Sequence, residues 1–573
     1  MLTNWLSLNP FAVAQSIVLI ALSSGVVFVV TDPYLRTVVK AHWKLITLFV
    51  IMAAIWRLPF HDTFFHGLEY EDSYVYTVSA RADLPRGVSQ DVGSVYLTST
   101  CVAGSLSSCE KFETYSGHYI GWPSIIRIAL RLFRYSPNLP IYLNILGTCA
   151  SVVFIFLICY LATDGILAPS AAAVVFASTP AFAVYGVATY AEPISNTCIS
   201  AVLLFAFRYL YRAHDAPRSR IVNWFALTVT LFLATLIKRE NVLLAIGLLS
   251  IVTICLMRRI GTTSADKGKL YWAACSCAIV LVFSVTELQL GRTLISETQE
   301  FGHFPFSILN AKILLVPFLQ ACVSAKWYSC TFVFVLLGIG DAVRRKSVAS
   351  VAFGFLLSYV LLYTFHVHSY YQVHGEPVLP YETLRFAMNL MTLYSILAGL
   401  GVAAMFRMWH AQFAKWRTLA LIGIFVYAAV CYAATARLRQ EAHEAEYAVR
   451  VNPALAVVQL AQTSVPPTYI ATLEPLVVQI FAPRTINVIG LYAINQQLLT
   501  TLRNLHPGMS IVYLRQGQYA TPVARNRYAL GLECLDSQRQ VLLRSDPNFT
   551  LIQIKMPAAG EITCERSTQS EIP

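Results

Sequence analysis

Long apolar runs separated by short polar stretches make up most of this chain. A helix that crosses a bilayer needs roughly 20 mostly apolar residues. About twelve runs fit: 11–30, 43–59, 139–161, 168–187, 194–211, 221–237, 241–257, 270–288, 327–340, 348–365, 386–406 and 418–436. The first lacks a following small-residue cleavage site and is too long for a signal-peptide core, so it reads as a span. From about residue 440 the pattern turns soluble. Segments 468–473 and 509–514 read as short strands, 476–481 and 496–505 as helices, and Pro507-Gly508 as a turn between elements. Residues 548–556 alternate apolar and polar positions, as a closing strand does. The expected fold is mostly α: a polytopic transmembrane bundle over 1–439, with an outer loop at 60–138, then a small soluble α/β domain over 440–573. No repeat of fixed period appears.

Composition sharpens this picture. Hydrophobic residues make up 57% of the 573, charged residues only 13%, where soluble domains carry about 25% charged. With a mean hydropathy of +0.59, a disordered chain and a conventional soluble enzyme are both excluded. The net charge of +12 raises the question of nucleic acid, and the location of the charges answers it. If the spans alternate, one set of short connections holds Arg36, Lys40, Lys44, Arg208, Arg212, Arg218, Arg220, Arg258, Arg259, Lys267, Lys269, Arg344, Arg345, Lys346, Arg407, Lys415 and Arg417. Against them stand Asp32, Asp164, Asp215, Asp266 and Asp341. The positive-inside rule puts that side in the cytoplasm, so the basic excess is a topology signal and no nucleic-acid partner is expected. The long segments 60–138, 291–326 and 366–385 and the tail then lie outside it.

Most of the thirteen cysteines sit in apolar runs and read as small buried hydrophobes. Cys101 and Cys109 in the first outer loop, and Cys534 and Cys564 in the tail, could each form a disulfide in an oxidising compartment; free thiols are the alternative. There is no CxxC, no Cys/His set with zinc spacing and no HExxH, so no metal or cofactor is assigned. A divalent ion on the outer-loop acids stays open without a ligand motif to support it.

The first outer loop is richest in chemistry. Glu69, Glu71 and Asp72 place three carboxylates within four positions, beside Tyr70, Tyr74 and Tyr76. Mutual repulsion and partial desolvation raise the pKa of such groups, which suits a general base or a cation ligand. Asp72 equally suits capping a short helix through Ala80, and both roles stay open. Gly117-His118-Tyr119-Ile120-Gly121-Trp122-Pro123 then enters an apolar stretch in which Arg127, Arg131 and Arg134 share one helical face. That is the pattern of an interfacial amphipathic helix meeting phosphates, specifically or through ordinary headgroup contact. Lys238-Arg239-Glu240-Asn241 and Arg385 put basic groups on the outer side, against the topology bias. A bound anionic headgroup and snorkelling anchors are the two explanations.

Together, many spans, an acidic motif in the first outer loop and a soluble outer tail resemble the GT-C class of polyprenyl-phosphate-sugar-dependent glycosyltransferases. The protein O-mannosyltransferase and lipid A aminoarabinose-transferase relatives are the most similar subgroup. Those enzymes carry an Asp-Glu pair, then Tyr, then Arg. Asp72, Tyr76 and Arg81 match in spacing, while Ser73 stands where the Glu would be and Glu71 lies on the other side of Asp72. The turn at His118 resembles the family's second outer motif. Ala191-Glu192-Pro193, Lys238-Arg239-Glu240 and Leu384-Arg385-Phe386 resemble recurring family positions.

The resemblance implies transfer of a sugar from a polyprenyl-phosphate-linked donor to an extracytoplasmic glycan, lipid or protein acceptor, with inversion. Asp72 would be the general base, aided by Glu71. Arg385, with Lys238 or Arg239, would stabilise the leaving lipid phosphate. Glu69, Tyr76, Arg81, His118 and Trp122 would bind substrate. A bacterial inner membrane with the site on the periplasmic face is expected, with the endoplasmic reticulum lumen as the alternative. Rival readings are a transporter or lipid flippase and a noncatalytic scaffold with a binding tail.

Overall fold

The structure is a computed structural model. It describes residues 10–58, 76–78, 80–81, 88–91, 94–97, 120–134, 136–187, 189–211, 217–257, 268, 270–282, 320, 324, 327–328, 331–345, 354–358, 360, 388–409, 417–446, 450–463, 468–473, 475–483, 486–491, 494, 496–505, 507–516, 534–536, 538–556, 562 and 564. Two compact units result. The first comprises Met1–Asp62, Tyr119–Ile128 and Leu139–Gln440. The second comprises Thr63–His118, Ala129–Asn138 and Glu441–Pro573. Segments Thr63–His118 and Ala129–Asn138, read from sequence as an outer loop of the membrane domain, thus cluster with the tail.

The helices lying wholly or mostly in the first unit are α1 Pro10–Thr31, α2 Pro33–Arg57, α3 Gly121–Leu132, α4 Leu139–Thr163, α5 Leu167–Ser178, α6 Pro180–Tyr185, α7 Glu192–Tyr211, α8 Pro217–Ile237, α9 Val242–Met257, α10 Phe332–Arg345, α11 Met391–Trp409 and α12 Arg417–Glu446. Among the described residues, four helices are long and apolar enough to cross a membrane (Val13–Thr31, Pro33–Arg57, Leu139–Thr163 and Arg220–Ile237), and six shorter apolar helices accompany them. This is an integral membrane protein, mostly helical, with a small sheet in the other unit.

One expected span is not a single helix. The run 168–187 divides into α5 and α6 at Thr179, whose ψ of 125° leaves the helical region. Pro180 explains the break: it has no N–H to donate and biases the preceding residue toward extended backbone. The break strands carbonyls at the end of α5, and Arg57 at the end of α2 takes them. Its Nη1 donates to Ala177 O (2.8 Å) and Ala53 O (3.2 Å), and its Nη2 to Phe182 O (2.9 Å) and Phe176 O (3.3 Å). Three helix C-termini thus point their partial negative charge at one fully buried guanidinium. A Cβ at Gly186 would lie 2.9 Å from Arg57 Nε, so that position has no room for a side chain.

Helices α10 and α11 approach through glycine. A Cβ on Gly338 would strike the Leu397 carbonyl, and one on Gly401 the Phe334 carbonyl. Such small-residue contacts let helix backbones meet closely within a bilayer.

At the basic ends of the spans, Asp32 is the lone residue between α1 and α2. It caps α2 by accepting from Leu35 N (2.9 Å) and pairs with Arg208 Nε at 3.1 Å, both side chains almost wholly buried. Arg208 also lies over the Tyr34 ring, 5.4 Å from its centre. Arg208, counted from sequence with the basic residues just inside the span ends, is part of the helical packing.

The second unit contains a hairpin, β1 Val88–Asp91 with β2 Ser94–Leu97, that the sequence pattern did not signal. Its main body is α13 Asn452–Thr463, β3 Thr468–Thr472, α14 Pro475–Phe481, β4 Asn487–Gly490, α15 Gln496–Leu505, β5 Ser510–Gln516, β6 Gln540–Ser545 and β7 Phe549–Lys555. The five strands are ordered β4-β3-β5-β7-β6. β3 runs parallel to β4 and β5, with α14 and α15 in the crossovers, and β7 runs antiparallel to β5 and β6. Ile489, Leu499, Leu502, Ile511, Tyr513 and Ile554 form its core with Cys534 and Leu535. Cys534 and Cys564 are joined as a disulfide (S–S 2.08 Å) that closes a 30-residue separation. Burial pushes the Tyr469 phenol in this unit up to about 12.

Candidate active site

The start of α7 and the end of α8 meet at a buried charged corner. Glu192 opens α7 and Lys238 follows the last residue of α8, so each charge sits at the helix end that favours its sign. Lys238 Nζ lies 2.8 Å from Glu192 Oε1 and 3.5 Å from Glu240 Oε1. Glu192 is 1% exposed and Lys238 4%. Charges removed from water to this degree need partners, and here one ammonium serves two carboxylates.

Amides hold the corner in shape. The Asn241 side chain donates to Ser195 Oγ and to Ala234 O, both at 2.8 Å, tying the turn after α8 to α7. Asn196, one turn below Glu192, donates to Glu192 O and Met388 O, and its Oδ1 accepts from Thr392 N at 3.3 Å. The 186–191 strap that leads into α7 is fastened from two sides. Trp122, wholly buried, donates its indole N–H to Thr189 O (2.7 Å), and Asn144 in α4 donates to Tyr190 O (3.4 Å). Gly121 makes the first of these contacts possible: a Cβ there would lie 2.7 Å from the Leu236 backbone. Helix α3 is therefore pressed against the end of α8, one residue from Lys238.

The sequence-derived candidates fall into three groups. Lys238 and Trp122 are in this corner, and Arg239 has its backbone there, in the single 3-10 turn Arg239–Asn241. Tyr76 and Arg81 are in the second unit, both buried. Arg81 Nη1 donates to Gln479 O (2.7 Å) and Ala482 O (2.9 Å), capping the C-terminal end of α14. On α3, Arg127 is half-buried and Arg131 exposed, while Arg134 lies beyond the helix end at Leu132. That corrects the expectation of one helical stripe through all three. Glu69, Glu71, Asp72, His118, Arg385, Cys101 and Cys109 lie outside the described residues. Among the described residues no His, Cys, Asp or Glu group is arranged to hold a metal ion.

Sequence reasoning gave Glu192 no role in binding or chemistry and passed over Asn144, Asn196 and Arg57. Their signal was present: an amide or a guanidinium inside an apolar run is costly unless it has a specific partner.

No protein-family model and no curated protein matches the chain. Solved structures do. The crystal structure of ArnT from Cupriavidus metallidurans bound to undecaprenyl phosphate superposes with a TM-score of 0.56 at 13% identity, over 88% of this chain and 97% of that one. The apo form of the same protein gives 0.51 at 13% identity, over 90% and 98%. ArnT is a GT-C lipid A aminoarabinose transferase. This chain has a GT-C glycosyltransferase-like fold. An oligosaccharyltransferase from Archaeoglobus fulgidus also aligns, at a TM-score of 0.49 and 11% identity over 88% of this chain and 72% of that one. Within the GT-C-like fold, the described part of the corner supplies a fixed ammonium, two carboxylates and an ordered set of amides in a low-dielectric setting. Electrostatic interactions there are far stronger than in water.

Proposed function

We propose that the chain is an integral-membrane glycosyltransferase that moves a sugar from a polyprenyl-phosphate-linked donor to an extracytoplasmic acceptor. The observation that carries this reading is the likeness, over almost the whole length of both chains, to a transferase crystallised with undecaprenyl phosphate. Asp72 takes the proton from the acceptor hydroxyl as it attacks the anomeric carbon, and that centre inverts. Glu71 or Glu69 stabilises the oxocarbenium-like transition state. General-base help of this kind is worth about 10²–10⁴-fold.

Departure of the lipid phosphate needs preorganised positive charge. Arg385 supplies part of it. Of the two basic residues at the end of α8, Lys238 is already engaged by Glu192 and Glu240, which favours Arg239 for the phosphate and Lys238 for the shape of the corner. The basic connections face the cytosol, and the tail, with its Cys534–Cys564 disulfide, faces an oxidising compartment. A bacterial periplasm fits best.

The test is binding of undecaprenyl phosphate to the purified full chain. Saturable binding is expected, weakened about tenfold or more in Arg239→Gln and in Arg385→Gln, as for loss of one charge-assisted hydrogen bond. Absence of saturable binding contradicts the reading.

A further inference from the structure

A groove between α1 and α8 lies away from the corner at the end of α8. Helices α1 and α8 leave between them an open groove of about 520 Å³, lined by Leu19, Ile20, Ser23, Val27, Ile221 and Phe225 together with Ser24, Val222 and Trp224. That volume lies within the usual range of ligand pockets, about 300–1,000 Å³. From Leu19 to Val27 the groove follows α1 for about 12 Å at the helical rise.

Two of the polar groups in the lining are already engaged. Ser24 Oγ is spent on Ala21 O (3.1 Å), and the Trp224 indole N–H is turned to Ser276 Oγ and Trp272 O. The lining offers apolar surface, and both helices are long and apolar enough to lie in a bilayer. The occupant of the groove is therefore hydrocarbon.

The end of the groove has a different character. Arg220 directly precedes Ile221 at the start of α8, and its buried Nε has no hydrogen-bond partner among the described residues. Nearby, the charge of Arg208 is answered by Asp32. Arg220 forms no ion pair among the described residues. One end of the hollow thus adjoins a guanidinium that has no ion pair among the described residues, while its length offers mainly apolar surface. That combination is complementary to an amphiphile with an anionic headgroup.

We infer that this groove binds an anionic phospholipid of the leaflet at the basic ends of the spans, its acyl chain between α1 and α8 and its phosphate at Arg220. The occupant is a phospholipid because the groove lies beside the start of α8, next to Arg220, whereas the corner proposed for the lipid-linked donor is at the other end of α8.

Native mass spectrometry of the full chain in detergent, with phosphatidylglycerol or phosphatidylcholine of matched acyl chains, tests this. Wild type should retain phosphatidylglycerol about fivefold more than phosphatidylcholine, the contribution of one basic residue at a membrane surface. Arg220→Gln should abolish that preference while leaving both lipids bound. Ser23→Phe, which points a ring into the hollow from an exposed position, should weaken both, and Ser23→Ala neither. Equal retention of the two lipids by wild type, or a preference that survives Arg220→Gln, overturns the inference. So does displacement of the phosphatidylglycerol by stoichiometric undecaprenyl phosphate.

Discussion

Two buried ion pairs mark opposite ends of the first unit, and they are built differently. At the basic end, Asp32 and Arg208 match one acid to one base, and every added contact closes the pair further: the cap on Leu35 and the Tyr34 ring. At the outer end, Lys238 is shared by Glu192 and Glu240. The first arrangement is electrically complete and serves the packing of α1, α2 and α7. The second sets two carboxylates against one ammonium. The difference is one of charge balance, although burial alone makes the two look alike.

Breaking the closed pair should have the largest effect. Asp32→Ala leaves Arg208 buried without its acid, and about 3–5 kcal/mol of stability is expected to be lost, seen as a lower unfolding midpoint in detergent. Asp32→Leu combined with Arg208→Met should recover most of it, since a well-packed apolar pair avoids the desolvation of two charges. Failure of the double variant to recover would give the basic end a role beyond packing.

Cys564→Ser should cost about 2–4 kcal/mol in the tail by freeing its chain in the unfolded state. Reductant should reproduce the shift in wild type and leave the variant unchanged.

Glu192→Gln is expected to be milder than Asp32→Ala, about 1–3 kcal/mol, because Lys238 keeps Glu240 at 3.5 Å. A loss as large as that of Asp32→Ala would make the two corners equivalent and erase the distinction. The smallest effect is on pH. Tyr469 has its phenol raised from 10 to about 12 by burial, so its contribution is complete below pH 10 and is lost as pH rises toward 12. Tyr469→Phe should flatten that part of the tail's stability profile.

Much of this was legible in the chain. Runs of twenty apolar residues declare themselves, and the boundaries of α1 and α8 fall within a few positions of expectation. The tail strands with clear alternation, 468–472 and 549–555, are likewise visible. The break at Thr179 was hidden because Pro180 lies in a run that stays apolar on both sides. β6 escaped because all six of its residues are exposed, leaving no alternation to read. Pairings across distance left no local mark: Lys238 meets Glu192 46 positions away, and Arg81 meets Gln479 398 positions away. Arg81 matched the family spacing, and its Nη1 caps α14, a contact that spacing alone did not announce.

The central claim, transfer from a lipid-linked donor with Asp72 as base, is tested most directly by following labelled sugar. Proteoliposomes holding the full chain would be supplied with radiolabelled undecaprenyl-phosphate sugars and acceptor-bearing envelope extract, wild type beside Asp72→Asn. Label should move to the acceptor in wild type and slow by about 10²–10⁴-fold in the variant. Transfer at the wild-type rate by Asp72→Asn, or no transfer from any of the donors by wild type, would contradict it.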